Sequence, residues 1–485
     1  MISHYASKYV SPKKFSSFRI LNVGLDFWLI VSLFLLYLLL FMLLSVIRHN
    51  HFQSQANDFS IYDQALWLYS HFLTPYSTIT GKLDLADRFR PIMLTLSTIY
   101  WLTNNERILY FVQSLALSAA IFPIWFLAKR HLGKILALVV SFLFIDFIGI
   151  QAIAAYDFHE LALLPFLLAF LFLTIDKEKW AFYFVLLVLV LSVREYLGFF
   201  LVFVGVYVWY AKRNLKVALS TSVFPLLWSL VAIRFVMPFL GQSSYQSFLI
   251  EGDTIFSAIL DYLKSPGLAL YNFFLPLEKT KTLAISFLSF GFLPFLYLPM
   301  SPAVVFHLAS RFLDQLHPIR WTPFYQYNGE LAVMLSVSTI FSIKYLSSRL
   351  SKTTLYLVII LSLVGHSAVN LIQDSPLKNL LKPSFYLEQA WMENIRSILP
   401  LIPNTASVAS QNNLVPHLSH RREVYVLPEI GDADYILVDL HQGQNQWNFY
   451  TLTEESLKNL VNDLLRTKQY KIKAVSDQAL LLEKI

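Results

Sequence analysis

The sequence predicts a polytopic α-helical membrane protein, and three observations support this fold class. Hydrophobic residues make up 56% of the 485 positions and charged residues only 14%, whereas soluble domains carry about 25% charged residues. Several apolar runs approach the roughly 20 residues that a helix needs to cross a bilayer. Lys and Arg collect in short segments between these runs, as cytoplasmic loops require. We therefore expect a multi-pass protein of the plasma (inner) membrane.

Composition also excludes several classes of function. The chain contains no cysteine, which excludes disulfides, thiolate nucleophiles and Cys-ligated metal sites. The net charge of +7 is explained by the basic loops, so it does not indicate a nucleic-acid partner. The sequence lacks GxGxxG, Walker and HExxH motifs, so neither soluble-nucleotide nor zincin chemistry has support.

The spans are counted in order from a cytoplasmic N-terminus. A basic start with Lys8, Lys13, Lys14 and Arg19 precedes an uncleaved first span, and alternation of sides then gives about eleven transmembrane helices in a domain of residues 1–373. The predicted spans lie at about 27–47, 108–128, 135–154, 161–175, 181–193, 197–211, 217–239, two within 282–312, 331–346 and 354–372. The external loop, about 48–107, contains interfacial segments too short to cross.

The composition and periodicity of residues 374–485 predict a small α/β domain. Charges increase there, and "ASVAS", "EVYVLP", "ADYILVDL" and "AVSDQALLLEK" indicate short strands. "FYLEQAWMENIRSIL" and "TEESLKNLVNDLLRT" have helical periodicity. The odd number of spans places this domain on the extracytoplasmic side.

The stretch "NDFSIYDQALW" places two carboxylates, Asp58 and Asp63, just beyond the first span. We predict both as catalytic, because ionisable groups that recur between apolar spans are usually paired or functional. Other polar clusters end on the same predicted side, and a shared cavity of carboxylates and arginines suits a base beside an anionic substrate. The predicted substrate-binding residues are Asp87, Arg88, Arg90, Asp157, His159, Arg194, Glu195, Tyr325 and Tyr327.

Structural alternatives exist for most of these residues. Asp58 has the residue type of a helix N-cap, and Ser60 with Asp63 resembles a capping box. Interfacial arginines also anchor helices, Arg194–Glu195 suits a local ion pair, and aromatic rings form belts at membrane surfaces. Asp157 and His159 are weak candidates for metal ligands.

The order of motifs resembles a membrane family, domain of unknown function 2079. The resemblance rests on "NDFSIYDQALWLYSHFLTPYST", "DRFRPIM", "YDFHELALLPFLLA", "REYLGFFL", "ASQNNLVPHLSHRREVYVLP" and "ADYILVDL". That family is similar to the GT-C membrane glycosyltransferases, which take a sugar from a polyprenyl-phosphate lipid and use an Asp or Glu of the first external loop. The resemblance therefore implies a GT-C-like fold with Asp58 at the catalytic position.

The chain departs from the family pattern at three places. It has Asp87-Arg88-Phe89-Arg90-Pro91 where the family has Asp-His-Phe-Ser-Pro, Arg194-Glu195-Tyr196 for Lys-Glu-Asp, and Gln326-Tyr327 for His-Tyr. The lost histidines and aspartate weaken the expectation of a metal site, whereas the added arginines suit phosphate binding.

We therefore expect transfer of a sugar from a polyprenyl-phosphate donor to a glycan, lipid or protein acceptor on the extracytoplasmic face, with Mg²⁺ or Mn²⁺ as a possible divalent cofactor. Membrane lipid is the other expected partner. The alternatives are a transporter or flippase for a lipid-linked or anionic solute, although the sequence shows no inverted repeat, and a non-catalytic scaffold.

Overall fold

The computed structural model describes residues 24–241 and 255–485. The basic N-terminal segment lies outside these residues, so its cytoplasmic location stays a prediction. The α-helices of the described residues are Leu25–Asn50, Ile61–Ser70, Asp84–Asp87, Ile92–Leu96, Ile108–Ala119, Ile121–Leu132, Lys134–Ile145, Ile148–Ala155, Leu164–Asp176, Trp180–Val193, Leu197–Lys212, Leu215–Val231, Met237–Phe239, Ile255–Lys264, Pro266–Phe274, Leu277–Leu288, Ser301–Phe312, Gly329–Ser347, Lys352–Ile372, Ala390–Ile398 and Glu454–Arg466.

Fewer helices than the predicted eleven are long and apolar enough to cross a membrane. Within residues 24–241 and 255–485 there are five, or six if a pair bent by 45° is one span. They are Leu25–Asn50, Ile108–Leu132, Leu215–Phe239, Gln326–Ser347 and Lys352–Ile372, with the bent pair Lys134–Ile145 and Ile148–Ala155. In this part of the chain, fewer than eleven helices have the length and apolar composition that a membrane span requires.

The shortfall has a physical reason, which is that several predicted spans are short or broken. Trp180–Val193 has 14 residues and at about 1.5 Å per residue covers roughly 21 Å, less than the ~30 Å hydrocarbon layer. The predicted hairpin within 282–312 consists of two helices of 12 residues, Leu277–Leu288 and Ser301–Phe312. Two 3₁₀ turns that contain Pro294 and Pro299 separate them.

The bend in the predicted third span lies next to a charged residue, Asp146. Tyr37 donates a hydrogen bond to its Oδ1 at 2.7 Å, and Asn370 Nδ2 donates to Oδ2 at 2.8 Å. His366 Nε2 lies 3.0 Å from the same Oδ2. Because polar groups inside an apolar bundle require partners, these contacts join the first and last candidate spans at the bend.

The C-terminal region contains the predicted sheet. Two short strands of the loop after the first helix, β1 and β2, form a separate hairpin, and five strands, β3 to β7, form a sheet of order β4-β3-β5-β7-β6 within the described residues. β4 and β5 run parallel to β3, whereas β7 is antiparallel to both β5 and β6. The bounds are β1 Tyr76–Ser77, β2 Lys82–Leu83, β3 Val408–Ser410, β4 Val424–Val426, β5 Tyr435–Asp439, β6 Tyr470–Ser476 and β7 Ala479–Lys484.

Successive side chains of β5 point to opposite faces of the sheet, and a helix packs against each face. Leu437 belongs to the hydrophobic cluster that contains the helix Ala390–Ile398. Its neighbours Ile436 and Val438 belong to the cluster that contains the helix Glu454–Arg466. Because successive side chains of a strand point to opposite faces, this pattern gives an α/β arrangement with one helix on each face. The strands and helices predicted for residues 374–485, called the tail from here on, are therefore present.

The external loop packs against the tail. Thr78, in the turn between β1 and β2, accepts a hydrogen bond from the amide of Val424 at 3.0 Å and donates one to its carbonyl at 2.5 Å. β4 is an edge strand, and an edge strand is usually covered or blocked. The β1–β2 hairpin covers the edge of β4 here. The sequence did not predict this hairpin.

Candidate active site at the base of the external loop

Asp58 lies in a π-helical turn rather than at a helix cap. The turn Ala56–Ser60 follows an extended Gln55 and continues into the helix Ile61–Ser70. Neither start carries a side-chain capping hydrogen bond, so the N-cap and capping-box alternatives for Asp58, Ser60 and Asp63 are wrong. π-turns occur frequently at functional sites, and this one leaves the Asp58 carboxylate available for other contacts.

The carboxylate of Asp58 meets side chains of the predicted "YDFHE" cluster. Tyr156 donates a hydrogen bond to its Oδ2 at 2.8 Å, and His159 Nε2 lies 3.6 Å from Oδ1. The side chain of Asp58 remains 32% exposed, whereas that of His159 is 5% exposed. Asp58 is therefore the accessible member of this group.

Burial controls the protonation of both residues. Burial, reinforced by the negative charge of Asp157, raises the pKa of Asp58 to about 7. Burial also lowers the pKa of His159 to about 4, in spite of the nearby Glu160. At neutral pH His159 is thus a neutral imidazole, and Asp58 exchanges its proton near the pH at which a general base works best.

Asp157 supports the loop that carries Asp58. Its Oδ2 accepts a hydrogen bond from the backbone amide of Gln55 at 2.8 Å, and its Oδ1 accepts one from Tyr110 at 3.3 Å. Burial raises its pKa. Asp157 therefore holds the chain three residues before Asp58 while it places a second carboxyl group close to Asp58.

An arginine-rich ion-pair network lies behind His159. Arg194 Nη2 is 2.6 Å from Glu160 Oε1, and Arg90 Nη1 is 3.9 Å from Glu160 Oε2. Burial favours protonation of Glu160, but Arg194 and then Arg90 outweigh burial and hold its pKa below the usual value. Arg90 also donates to Asp84 through Nε at 2.9 Å. Buried charges are tolerated when paired in this way.

Tyr62 connects the Asp58–His159 pair to the arginine network. Arg194 Nη2 donates a hydrogen bond to the Tyr62 hydroxyl at 3.0 Å, and the Arg90 guanidinium lies 4.4 Å from the centre of its ring. The ring of Tyr62 is in turn 4.7 Å from that of His159. Continuous contacts therefore run from Asp58 through His159 and Tyr62 to Arg194, which brings together three separate stretches of the sequence.

The remaining predicted binding residues lie around this network. Glu195 is buried and accepts a hydrogen bond from the Phe89 amide at 3.0 Å, which connects "REY" to "DRFRP". Asp87 ends the short helix Asp84–Asp87, and the half-buried Arg88 follows it. Arg194 forms a close ion pair with Glu160, and the neighbouring Glu195 also interacts electrostatically with Arg194.

The aromatic loop reaches the same region through Tyr325. Its ring lies 5.5 Å from that of Tyr156, the hydrogen-bond donor to Asp58. Tyr327 instead lies 5.6 Å from the guanidinium of Arg320. The charges of Arg194 and Asp58 also act on the hydroxyl of Tyr327, so both predicted tyrosines lie near this network.

Asp63 occupies a different environment. Its side chain is 0% exposed, and Oδ1 lies 3.0 Å from His420 Nε2 of the C-terminal region. Ser419 donates to Oδ2 at 2.6 Å, and Tyr100 donates to Oδ1. Burial opposes the charged form of His420, but Asp63 outweighs burial and raises its pKa. The catalytic role of Asp63 stays a prediction; its observed contacts connect the external loop to the tail.

A cavity of about 710 Å³ lies between the external loop and the C-terminal region. Asp63 is the predicted site residue that lines it, together with Tyr100, Glu106, His417 and His420. This polar cavity is therefore associated with the second carboxylate of the motif.

The side chains around Asp58 fit a divalent metal poorly. Both oxygens of Asp157 already accept hydrogen bonds, which leaves Asp58 with the single nitrogen of His159. Mg²⁺ and Mn²⁺ prefer several oxygen ligands. In the described part of the chain, neither Asp157 nor His159 belongs to a group of three suitable side chains within ligand distance. The side chains around Asp58 therefore do not support a catalytic metal at this position.

Several important residues did not stand out in the sequence. Tyr62 and Tyr156 lie next to Asp63 and Asp157, so proximity to predicted residues was the available signal, whereas Glu160 belongs to the polar cluster "YDFHE" that the sequence itself indicates. Ser419 and His420 contact Asp63 across more than 350 positions, and no local pattern indicates such a contact.

The fold places the chain in a known class. The crystal structure of ArnT from Cupriavidus metallidurans bound to undecaprenyl phosphate is similar, with a TM-score of 0.55 and 10% sequence identity, and the match covers 95% of this chain and 99% of that chain. The protein is thus a helical membrane protein of GT-C-like fold. It belongs to the family described as "Predicted membrane protein (DUF2079)", whose model matches residues 48–481. A comparison with curated proteins finds no match.

Proposed function

We propose that this protein transfers a sugar from a polyprenyl-phosphate carrier to an envelope acceptor (a glycan, lipid or protein) on the extracytoplasmic face of the membrane. The observation that carries the proposal is the accessible Asp58 carboxylate, joined by His159 and Tyr62 to Arg194. The similarity to a fold solved with undecaprenyl phosphate supports the choice of donor.

Asp58 acts as the base in this proposal. The acceptor hydroxyl donates its proton to the carboxylate while its oxygen attacks the anomeric carbon of the donor sugar. The bond from that carbon to the phosphate oxygen breaks, and the lipid phosphate leaves with the electron pair. A base with a pKa of about 7 is half ionised at neutral pH, which suits general-base catalysis. Tyr156 orients the carboxylate through Oδ2.

The arginines divide into two proposed roles. Arg194 is 12% exposed, and Arg88 is half-buried, so both are proposed to face the lipid phosphate and stabilise its charge as it leaves. Arg90 is 1% exposed and already paired with Asp84 and Glu160. We propose that Arg90 positions Glu160, which in turn orients Arg194.

The test is a transfer assay with purified protein in lipid nanodiscs. A panel of radiolabelled polyprenyl-phosphate sugars is incubated with wild type, Asp58→Asn and the surface control Asp463→Asn, whose side chain is 64% exposed. Wild type and control should transfer the label, and Asp58→Asn should be slower by about 10²- to 10⁴-fold.

Equal transfer by folded Asp58→Asn and wild type would remove Asp58 from the mechanism. A second measurement addresses the transport alternative. Movement of a fluorescent polyprenyl-phosphate sugar between leaflets, without release of its sugar to any acceptor, would replace the transferase proposal by a flippase.

A further inference from the structure

A second group of potential ligands lies outside the proposed active site. His49 ends the first span, Glu106 precedes the next one, and His417 belongs to the C-terminal region. One potential ligand atom from each side chain lies within 4.8 Å of the others, the only such group of three in the described residues. Sequence spacing did not indicate it, because the three residues come from distant segments.

The hydrogen bonds around His49 define the orientation of its ring. Tyr110 donates to Asp157 at 3.3 Å, which favours Ser54 as the donor in the 2.7 Å contact between the two hydroxyl groups, where either oxygen can donate. The Ser54 oxygen can then only accept from His49 Nδ1, which lies 3.1 Å away. In a neutral His49 the lone pair is thereby placed on Nε2.

That lone pair faces other electron-rich atoms. His49 Nε2 lies 3.2 Å from a carboxylate oxygen of Glu106, and the His417 ring centre is 4.3 Å from that of His49. The Nε2 atom of His417 is buried and has no hydrogen-bond partner. A protonated His49 would satisfy Glu106 but would leave His417 Nε2 without a partner. A bound cation satisfies all three ligand atoms.

We propose that His49, Glu106 and His417 bind a divalent transition metal, with zinc as the ion that this ligand set fits best. Two imidazole nitrogens and one carboxylate form a common zinc ligand set, and a fourth position takes water. Ser54 would be the outer partner that fixes the metal-binding nitrogen of His49, a role typically filled by a carboxylate, a backbone carbonyl or water.

The surrounding structure provides access to the site. Glu106 and His417 both line the 710 Å³ cavity between the external loop and the tail, whereas His49 is 0% exposed. An ion entering through this polar cavity would therefore meet two of its three ligands at the wall.

The metal would attach the tail to the membrane domain next to Asp58. Asn412, five residues before His417, accepts a hydrogen bond from the Ala56 amide at 2.9 Å and donates one to the side chain of Gln55 at 2.5 Å. The chain of contacts from His49 through Ser54 and Tyr110 ends at Asp157. The three ligands are thus positioning residues, and their metal binding does not depend on the proposed sugar transfer.

The first experiment measures metal content. Full-length protein purified in detergent is analysed by inductively coupled plasma mass spectrometry after exposure to Zn²⁺ and desalting, for wild type, Glu106→Gln, His417→Gln and the control His441→Asn. His441 belongs to the same region and pairs with Asp439. Wild type and control should retain one zinc per chain, and the two ligand variants should retain none.

A second experiment measures zinc affinity and stability. Ser54→Ala keeps all three ligands but removes the outer partner, and it should weaken zinc binding by about 10- to 100-fold. A chelator should lower the thermal unfolding midpoint of wild type and of His441→Asn but not that of His417→Gln.

Zinc retention by His417→Gln equal to wild type would overturn the proposal, because the ion would then bind elsewhere. Loss of stability in Glu106→Gln, combined with no zinc binding by wild type, would also overturn it and would instead identify a His49–Glu106 ion pair. Neither readout uses sugar transfer, so the result is separate from that of the transfer assay.

Discussion

Asp58 and Asp63 belong to one motif and to one short segment, yet the structure gives them opposite environments. Asp58 is partly exposed, accepts one hydrogen bond from Tyr156 and lies near a neutral histidine. Asp63 is fully buried and contacts Ser419 and a histidine of the tail, His420. The comparison teaches that two carboxylates of one motif can differ in burial and in partners, and we propose that these partners assign Asp58 to chemistry and Asp63 to assembly.

The difference follows from helical geometry. Residues five positions apart lie about 140° apart around an ideal helix axis, since each residue turns the helix by 100°. Asp58 therefore faces the "YDFHE" segment while Asp63 faces the tail, although the π-turn changes the angle locally. Four predictions test this separation of roles.

The largest effect is expected for Asp58→Asn in the transfer assay, a decrease of about 10²- to 10⁴-fold. Thermal unfolding should change little. The pKa of Asp58 is raised by burial, so its ionised form is disfavoured in the folded protein, and a neutral side chain removes that cost. A large drop in the unfolding midpoint of Asp58→Asn would contradict the division between the two carboxylates.

Asp63→Ala should mainly reduce stability. Removal of one member of a buried ion pair typically costs about 3–5 kcal/mol, and here it also leaves Ser419 and Tyr100 without their acceptor. Denaturant unfolding in detergent micelles measures the change, with Asp58→Ala as the matched control. A smaller loss for Asp63→Ala than for the control would reverse the assignment.

The Asp63–His420 pair should also give the stability a pH dependence. The pKa of His420 is raised in the folded protein, so its charged form stabilises the fold fully below the ordinary value near 6.5 and progressively less as pH rises through the raised value. Unfolding midpoints of wild type and His420→Gln should therefore converge from pH 6 to pH 9. A constant difference over this range would show that the pair does not titrate.

The smallest effect is expected for Tyr156→Phe. The hydrogen bond from Tyr156 lowers the pKa of Asp58, so its loss should raise the pKa of Asp58 above about 7 and shift the apparent pKa of the transfer rate in the same direction. The pH profile of kcat/KM measures the shift, with Tyr325→Phe as a control that retains this hydrogen bond. An unchanged profile would show that Asp58 is not the group that titrates.

The periodic spacing of apolar residues allows the strands and helices of the tail to be predicted from the sequence. The apolar residues of "ADYILVDL" fill both faces of β5, as expected for a strand buried on both sides, and "TEESLKNLVNDLLRT" matches the amphipathic helix Glu454–Arg466. Local patterns of this kind are sufficient because each element contributes its own buried face. The β1–β2 hairpin was missed because its strands have two residues each.

The membrane-spanning helices were predicted less accurately than the tail, because the hydropathy of a sequence does not show where a helix is bent or interrupted. Asp146 lies within an apolar run that the sequence suggested as one span, and its partners Tyr37 and Asn370 come from distant helices. Similarly, the predicted residues Asp157, His159 and Arg194 do meet near Asp58, but the contacts through Tyr62 and Glu160 that connect them are recognisable only in three dimensions.

The contact of Asn412 with Gln55 and Ala56 also has a consequence for biosynthesis. The segment next to Asp58 is translated 356 residues before its partner. A protein that stops before the tail would insert its helices but leave this segment without the backbone contact that holds it. The arrangement around Asp58 can therefore be completed only after Asn412 has been synthesised.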